Sequence, residues 1–308
     1  MHACALRWLI FFAPLAAGDP LQLSAFGVTD STVEVNAYKT RSWHDTFGPP
    51  YGVTVCLTGQ HRQSLTDPLY SILMRVRVNG VTDADIAILN SSWPMGSPET
   101  YPDHVHLRAT NKDVNAYNDM RLSRLPGECV TFRCVDTILV RHHARQEYAM
   151  NRIQTVARGV IDIKVGAQVV LTRSIGNVKA GARGRVEVIT ADVSVSCSFD
   201  GVPEPVVVER AVFEVKDAVE DVLAKREQLP LLLAWAVTIS RAQGMSLSLV
   251  AVDFSLTRWT LDGLVYSALS RASGMSGLRV RGLTRAHIMC SGSALGFYRS
   301  LLAAHSLS

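Results

Sequence analysis

The sequence predicts an α/β fold in which a domain with a parallel sheet is interrupted by a small β-barrel. Strand-like and helix-like segments alternate before residue 125 and again after residue 230, as in a parallel sheet with helical crossovers. Between them, residues 161–213 contain short strand-like runs separated by glycines at turn spacing, a pattern typical of a small barrel. The 308 residues correspond to roughly two domains of ~100–200 residues, so the length fits this arrangement.

The composition excludes several classes of protein. Hydrophobic residues make up 48% of the chain and charged residues 19%, which excludes a mostly disordered chain. The six cysteines include no C-x-x-C pair and lie apart from other ligand types, so we expect reduced thiols and no metal ligands. No apolar run reaches the ~18–20 residues of a membrane span. The net charge of +4 is compatible with a nucleic-acid or nucleotide partner but does not indicate one.

The N-terminal segment has two interpretations. Residues 8–17 are almost continuously apolar and are followed by small residues, as in a secretory signal. A central strand of a parallel sheet, covered on both faces, is also apolar without alternation. We favour the buried strand, because residues 18–23 continue as a polar loop with a recognisable pattern.

Apolar periodicity, capping residues and proline or glycine stops predict the other elements. Leu69, Ile72, Leu73 and Val76 have helical spacing, and Thr82 is a candidate helix cap. Outside the barrel, helices are predicted at 38–47, 67–78, 86–89, 110–124, 231–241, 264–271 and 294–304, and strands at 53–57, 105–109, 249–254 and 278–280. Within the barrel, strands are predicted at 169–171, 186–189, 193–195 and 206–208.

Two polar clusters directly follow predicted strands, where ligands bind in open α/β sheets. In residues 18–23, Gln22 can orient a water or contact a phosphate, although taken alone this segment is better explained as an ordinary Asp-Pro turn. In residues 59–63, Arg62 can bind a phosphate through its guanidinium fork, or can be an exposed loop arginine.

Two further clusters end predicted helices. Thr238, Ser240 and Gln243 group within residues 234–244, where they can hydrogen-bond to a nucleic-acid backbone. Arg271 ends a helix of small and apolar residues, and its long side chain can lie at a domain face. The structural alternative is that Arg271 only complements the dipole of its own helix.

Taken together and in this order, the clusters resemble motifs of the Pif-type ATP-dependent DNA helicases, the RecD-like branch of helicase superfamily one. Residues 18–23 (GDPLQL) resemble motif III, and residues 61–63 (HRQ) resemble motif IV. Residues 164–171 (KVGAQVVL) resemble the inserted barrel of the family. Residues 232–244 resemble motif V, and residues 266–271 (YSALSR) resemble motif VI. The resemblance as a whole extends from residue 18 to residue 298.

The resemblance implies a RecA-like second motor domain with an inserted barrel, from a helicase that moves five-prime to three-prime along single-stranded DNA. ATP and Mg²⁺ would bind between this domain and a first RecA-like domain. By resemblance, Arg62 and Arg271 approach the γ-phosphate, Gln22 couples the phosphate site to DNA, and Gly244 belongs to the nucleotide site. The DNA-contacting residues implied in the same way are Thr110, Asn111, Thr238, Ser240 and Gln243.

The sequence also departs from the family. It contains no G-x-x-x-x-G-K-[ST] phosphate loop and no Asp-Glu or Asp-Asp pair that could hold magnesium. We therefore expect the first RecA-like domain to be largely absent and the chain alone to be inactive. The predicted divisions are 1–30 (last strand of the first domain, with motif III), 31–150 and 226–308 (second domain) and 151–225 (barrel).

Several functional hypotheses remain open at this point. The resemblance implies part of a helicase that acts in DNA repair, recombination or telomere maintenance, in the nucleus or mitochondrion. A separate protein could supply the first motor domain. The alternative is a non-catalytic module that binds single-stranded DNA or a partner, and a secreted protein remains a third class if the first residues are a signal.

Overall fold

The computed structural model describes residues 18–22, 37–47, 59, 61–96, 101–190, 193–217, 219–256 and 261–305. Its helices are α1 (Arg41–Phe47), α2 (Pro68–Arg77), α3 (Asp83–Ser91), α4 (Asn111–Arg124), α5 (His143–Val156), α6 (Ile239–Ala242), α7 (Leu264–Leu269) and α8 (Gly292–His305). Its strands are β1 (Val105–Arg108), β2 (Val130–Arg133), β3 (Val135–Ile138), β4 (Val160–Ile163), β5 (Gln168–Leu171), β6 (Arg183–Thr190), β7 (Ser194–Phe199), β8 (Val206–Glu209), β9 (Ala211–Lys216), β10 (Val222–Gln228), β11 (Leu231–Leu233), β12 (Ala236–Thr238), β13 (Val250–Asp253) and β14 (Leu278–Arg281). The strands predicted at 8–17 and 53–57 lie outside the described residues.

A four-stranded parallel sheet organises the first layer of the molecule, in the order β12-β1-β13-β14. Every residue of β1 and β13 is buried, including the polar residues His106, Arg108 and Asp253, as expected of central strands covered on both faces. One face of α2 packs on this sheet through Leu69, Ile72, Leu73 and Val76, the residues whose spacing predicted the helix. All six residues of α7 are buried in the same core. The predicted α/β class with a parallel sheet is confirmed.

The helix predicted at residues 231–241 is wrong. Leu231–Leu233 forms β11, which pairs antiparallel with β5, and Ala236–Thr238 forms β12, which pairs parallel with β1. Only the single turn of α6 is helical. A continuous apolar run fits a buried strand as well as a buried helix, so its tertiary partners decide between them. Asn118 on α4 holds the junction, because its side chain accepts from the Ala236 N–H at 2.8 Å and donates to the Ala236 carbonyl at 3.0 Å.

Antiparallel sheets make up the middle of the chain. Five strands pair in the order β11-β5-β6-β7-β8, and two smaller sheets contain β3-β10-β9 and β2-β4. Among the described residues β8 does not pair with β11, so the five-stranded sheet is open at both edges and the barrel stays a prediction. A second core lies under this sheet and includes Phe132, Val169, Val195 and Trp235.

Several elements in this part were not predicted from the sequence, among them β2, β3, β10 and α5. Strands β2 and β3 are short and mostly exposed, so they carry little apolar signal. Helix α5 buries only Ala149 and Ile153, which pack against β9 and β10. Antiparallel pairing therefore begins at β2, before residue 151, while the domain boundaries themselves stay predictions.

Asp85 fixes the start of α3. Thr82 and Asp85 form the predicted cap as a reciprocal capping box, and Asp85 also accepts from Arg75 at 2.6 and 2.8 Å. The Arg75 guanidinium holds the pKa of this buried carboxyl well below its usual range.

We expect Asp85→Asn to lower the free energy of unfolding by about 1–2 kcal/mol at pH 7. The folded carboxyl has a depressed pKa, so its stabilisation is complete above the unfolded pKa of about 4 and is lost as pH falls below it. Urea denaturation should therefore show a difference between wild type and variant that shrinks between about pH 5 and pH 2. Asp83→Asn is the matched control, because Asp83 is 91% exposed in its ion pair with Arg285. A difference that stays constant over this pH range would contradict the role of the Asp85 charge.

No helix in the described ranges combines the length and apolar character that crossing a bilayer requires.

Candidate functional site

Two arginines that are far apart in the sequence converge on Ser270, at the end of α7. Arg62 donates from Nη1 to the Ser270 carbonyl at 3.1 Å and from Nε to Ser246 Oγ at 2.8 Å. Arg271 donates from Nη2 to Ser270 Oγ at 2.8 Å. The structure thus brings together the two residues predicted to approach a phosphate.

The expectation that Arg271 lies at an open domain face is wrong for this chain. Its side chain is 1% exposed, and Nε donates to the Ser267 carbonyl at 2.9 Å. The physical reason is that all six residues of α7 are buried, so Arg271, the second residue after the helix, is also inside. A guanidinium in that position stays hydrogen-bonded by taking the open carbonyls and hydroxyls at the helix end.

The charges around Ser270 favour an anion. Burial, together with the nearby Arg62 cation, lowers the pKa of Arg271 to about 10. Within the described part of the chain neither guanidinium is ion-paired with a carboxylate, although Asp19 favours the Arg271 charge from further away. Two neighbouring cations without a counter-ion are stabilised by an anion that accepts from both, and a phosphate oxygen suits the guanidinium fork.

Gln63 is a site residue to which sequence reasoning gave no role of its own. It is 6% exposed and donates from Nε2 to the Ala272 carbonyl at 2.6 Å. The segment that carries Arg62 is thereby attached to the end of α7. The sequence signal that could have identified Gln63 was its position next to Arg62. A glutamine that is buried there needs polar partners, which the end of α7 provides.

The loop that carries Gln22 is attached at the other end of α7. Asp19 accepts from Arg77 Nη2 at 2.8 Å, and Arg77 lies over the Tyr298 ring at 4.3 Å. Gly263, at φ +71°, approaches this loop so closely that a Cβ there would lie 2.7 Å from the Leu21 carbonyl oxygen. The structure therefore requires glycine where α7 begins. Asp19 and Arg77 were not predicted to have this role, because their contact depends on tertiary structure.

Gln22 is separated from the two arginines. Its side chain donates to Asp19 Oδ2 at 3.4 Å, beside the start of α7, whereas Arg62 contacts the residue that follows its end. The span from Gly263 to Ser270 is about 10 Å along a helix axis. The structure thus places Gln22 at the opposite end of α7 from the two arginines, without a direct contact among the described residues.

Three of the residues expected to contact DNA lie together at the carboxyl ends of two neighbouring strands of the parallel sheet. Thr110 and Asn111 follow β1, and Thr238 ends β12, where it is in register with Arg108. Both threonine hydroxyls cap helices: Thr110 accepts from Asp113 N–H at 3.2 Å, and Thr238 accepts from Arg241 N–H at 3.3 Å. The carboxyl ends of neighbouring parallel strands are where ligands bind in such sheets.

A short loop joins this edge to the arginines. Gly244 follows α6 with φ +86° and is exposed, so it turns the chain away from the helix. Beyond it, Ser246 accepts from Arg62, and the Leu247 N–H donates to the Arg271 carbonyl at 2.9 Å. Residues 243–247 therefore connect the two groups: the backbone continues from the predicted DNA group, and Ser246 and Leu247 form hydrogen bonds to the arginine pair.

Comparisons with known proteins identify the relatives of the chain, although no protein-family profile matches it. It is 31% identical over 297 residues to the ATP-dependent DNA helicase PIF1 of Xenopus laevis, covering 93% of this chain and 44% of that protein. The crystal structure of Pif1 helicase from Candida albicans superposes with a TM-score of 0.76 at 27% identity, covering 92% of this chain and 67% of that one. The chain is related to the Pif1-type helicases.

The relationship has a defined extent. The chain spans less than half the length of the curated Pif1 relatives it matches, for example 30% of the Homo sapiens protein, to which it is 34% identical over 206 residues. A Bacteroides Pif1 in complex with ADP-AlF3 and single-stranded DNA superposes with a TM-score of 0.63 at 21% identity, which shows a shared fold. The RecA-like interpretation of the parallel sheet is consistent with these Pif1 structures. The roles of individual residues remain proposals.

Proposed function

We propose that this chain forms one wall of the ATP site and part of the single-stranded DNA track of a Pif1-type DNA helicase that moves five-prime to three-prime. The observation that carries the proposal is the pair of guanidinium groups, Arg62 and Arg271, that meet at Ser270 without a counter-ion in the described structure. The relatives support a nucleotide as the anion, because they are named as ATP-dependent DNA helicases. A Bacteroides relative of the same fold holds ADP-AlF3 and single-stranded DNA, which supports both ligands.

Arg62 and Arg271 would stabilise charge on the γ-phosphate from across a domain gap, as cations do in phosphoryl transfer. Arg62 is the more accessible of the two, and Arg271 lies behind it with its charge directed to the same place. Gln22 would couple this site to DNA, and Gly244 would let the backbone of the connecting loop approach the nucleotide. The phosphate loop and the magnesium ligands must come from outside these 308 residues, because the sequence contains no such motif.

Thr110, Asn111, Thr238, Ser240 and Gln243 would bind the sugar-phosphate backbone of single-stranded DNA. The cellular role that follows is DNA repair, recombination or telomere maintenance, in the nucleus or the mitochondrion. Neither the structure nor the comparisons support a separate protein as the source of the first motor domain, so the proposal does not include one. A non-catalytic single-strand binding module is the second candidate, favoured by the absent phosphate-loop motif and the buried Arg271.

The expected result for the isolated chain is salt-sensitive binding to single-stranded DNA without ATP hydrolysis. The affinity for a labelled oligothymidylate, measured by fluorescence anisotropy, should fall with log[salt] at a slope of about −0.7 for each phosphate neutralised. Ser240→Ala should weaken binding, whereas Ser123→Ala, an exposed position at the far end of α4, should not. Absent binding at low salt, or ATP turnover near the ~1–100 s⁻¹ of phosphoryl-transfer enzymes, would contradict the proposal.

A further inference from the structure

A small cavity opens to solvent beside the last turns of α4. It encloses about 280 Å³. Cavities that hold a cofactor or a drug-sized molecule measure ~300–1,000 Å³, so this one suits a single large side chain. The residues that line it are Pro102, Tyr117, Met120, Arg121, Arg124 and Leu125. They come from α4, from the residue that follows it and from the segment that precedes β1.

The cavity and the predicted DNA group lie at opposite ends of α4. Thr110 caps the start of the helix, whereas Arg124 is its last residue. The 14 residues of α4 span about 20 Å along the helix axis. Pro102 precedes β1, so the cavity lies at the amino end of that strand. A ligand in the cavity therefore leaves the carboxyl ends of the parallel strands free.

Aromatic packing holds the wall of the cavity in place. The Tyr117 ring lies 4.4 Å from the His106 ring of β1. The Arg121 guanidinium lies over the rings of Tyr117 and Trp235, at 6.0 and 5.5 Å from their centroids. Its Nη1 also donates to the Pro102 carbonyl at 3.2 Å. Because several elements hold these side chains, the wall is formed before any ligand binds, which lowers the entropy cost of binding.

Three cations surround the cavity. Arg121 and Arg124 line it, and Lys164 Nζ donates to the Leu125 carbonyl at its rim at 2.8 Å. In the described part of the chain none of the three forms an ion pair with a carboxylate. Among the same residues Arg121 donates through Nη1, which leaves Nη2 for a ligand. The ligand that complements this rim is negatively charged.

We propose that this cavity is a docking site for an acidic peptide segment of a partner protein, which inserts one aromatic side chain. The Tyr117 ring and the Met120 thioether are favourable neighbours of an aromatic ring, and the Arg121 cation can stack on its face. Carboxylates beside the inserted ring would accept from Arg124 and Lys164. This inference goes beyond the proposed function and does not depend on DNA binding, because it concerns the other end of α4.

The test measures how the intact chain binds a short fluorescein-labelled peptide in which one tryptophan is flanked by aspartates. Replacing the tryptophan of the peptide by alanine should lower the affinity at least about tenfold, because one buried aromatic anchor dominates a small interface. Arg124→Gln and Met120→Asp should each weaken binding about five- to tenfold, since the first removes a carboxylate donor and the second adds a like charge. Fluorescence anisotropy measures both effects.

Arg152→Gln is the matched control, because it removes the same charge from an exposed position on α5, outside the cavity. It should bind the peptide as the wild type does. Arg124 is also exposed, so Arg124→Gln should keep the wild-type thermal midpoint. Labelled oligothymidylate is the second probe, and its affinity should be the same for the wild type and for Arg124→Gln.

Each contrary outcome identifies a different error. If the tryptophan and alanine peptides bind equally, the cavity holds no anchor and the inference is wrong. If Arg124→Gln binds the peptide normally but melts earlier, the arginine only complements the helix dipole and the inference is overturned. If Arg124→Gln weakens oligothymidylate as much as peptide, the surface binds nucleic acid instead. Absent peptide binding with normal oligothymidylate binding overturns this inference and leaves the proposed function standing.

Discussion

Replacing Arg271 by alanine is expected to lower ATP turnover by roughly 10³-fold in a chimera that joins this chain to the phosphate-loop domain of a Pif1 relative. The reason is that Arg271 adds a second positive charge to the site where Arg62 reaches Ser270. Arg271→Lys should restore little of the rate, because a point charge does not reproduce a planar fork. Steady-state hydrolysis in the presence of single-stranded DNA measures both effects.

The burial of Arg271 sets the controls for this experiment. The alanine variant also leaves the Ser267 carbonyl without its 2.9 Å partner, so the free energy of unfolding should fall by about 1–3 kcal/mol. Turnover must therefore be compared at a temperature where each variant is fully folded. Arg299→Ala, at an exposed position of α8, is the charge control. An alanine variant that keeps its ATPase rate and only melts earlier would show that Arg271 is structural.

Arg226→Met should have the largest effect on stability, with a loss of about 3–5 kcal/mol in the free energy of unfolding. Methionine fills most of the volume of the arginine side chain but leaves Asp136 without its bidentate partner. Gln154 Oε1 and the Ala157 carbonyl also lose the guanidinium N–H groups that donate to them. The Arg226 guanidinium also holds the pKa of Asp136 below its usual range, so the pair favours the ionised carboxyl.

Urea denaturation monitored by circular dichroism measures this loss, with Arg152→Met as the control for an exposed arginine of the same part of the chain. A loss below about 1 kcal/mol would mean that Asp136, which is 23% exposed, is satisfied by water once its partner is gone.

Local patterns were reliable where one segment carries its own signal. The spacing of Leu69, Ile72, Leu73 and Val76 predicts α2, and Thr82 predicts the start of α3, because periodicity and capping are properties of consecutive residues. The alternation of such segments predicts the parallel sheet in the same way. Motif order was informative for the same reason, since it led to the relationship with Pif1 before any contact was known.

Patterns failed where a segment depends on its partners. Residues 231–241 are apolar in either conformation, and only pairing with β5 and β1 makes them strands. Arg271 is chemically suited to an exposed surface, yet the burial of α7 places it inside. The elements β2, β3 and α5 have little apolar periodicity because most of their residues remain exposed.

The sequence by itself determined the α/β class and most helices and strands of the parallel layer, because each depends on residue type and near-neighbour spacing. It also singled out Arg62, Arg271 and Gln22 as candidate site residues, whose roles stay proposals. Only the tertiary structure decided that Arg62 and Arg271 share Ser270 and that Gln22 lies at the other end of α7. These contacts join residues from distant parts of the chain. Their distances follow from the packing of whole layers, which no local pattern encodes.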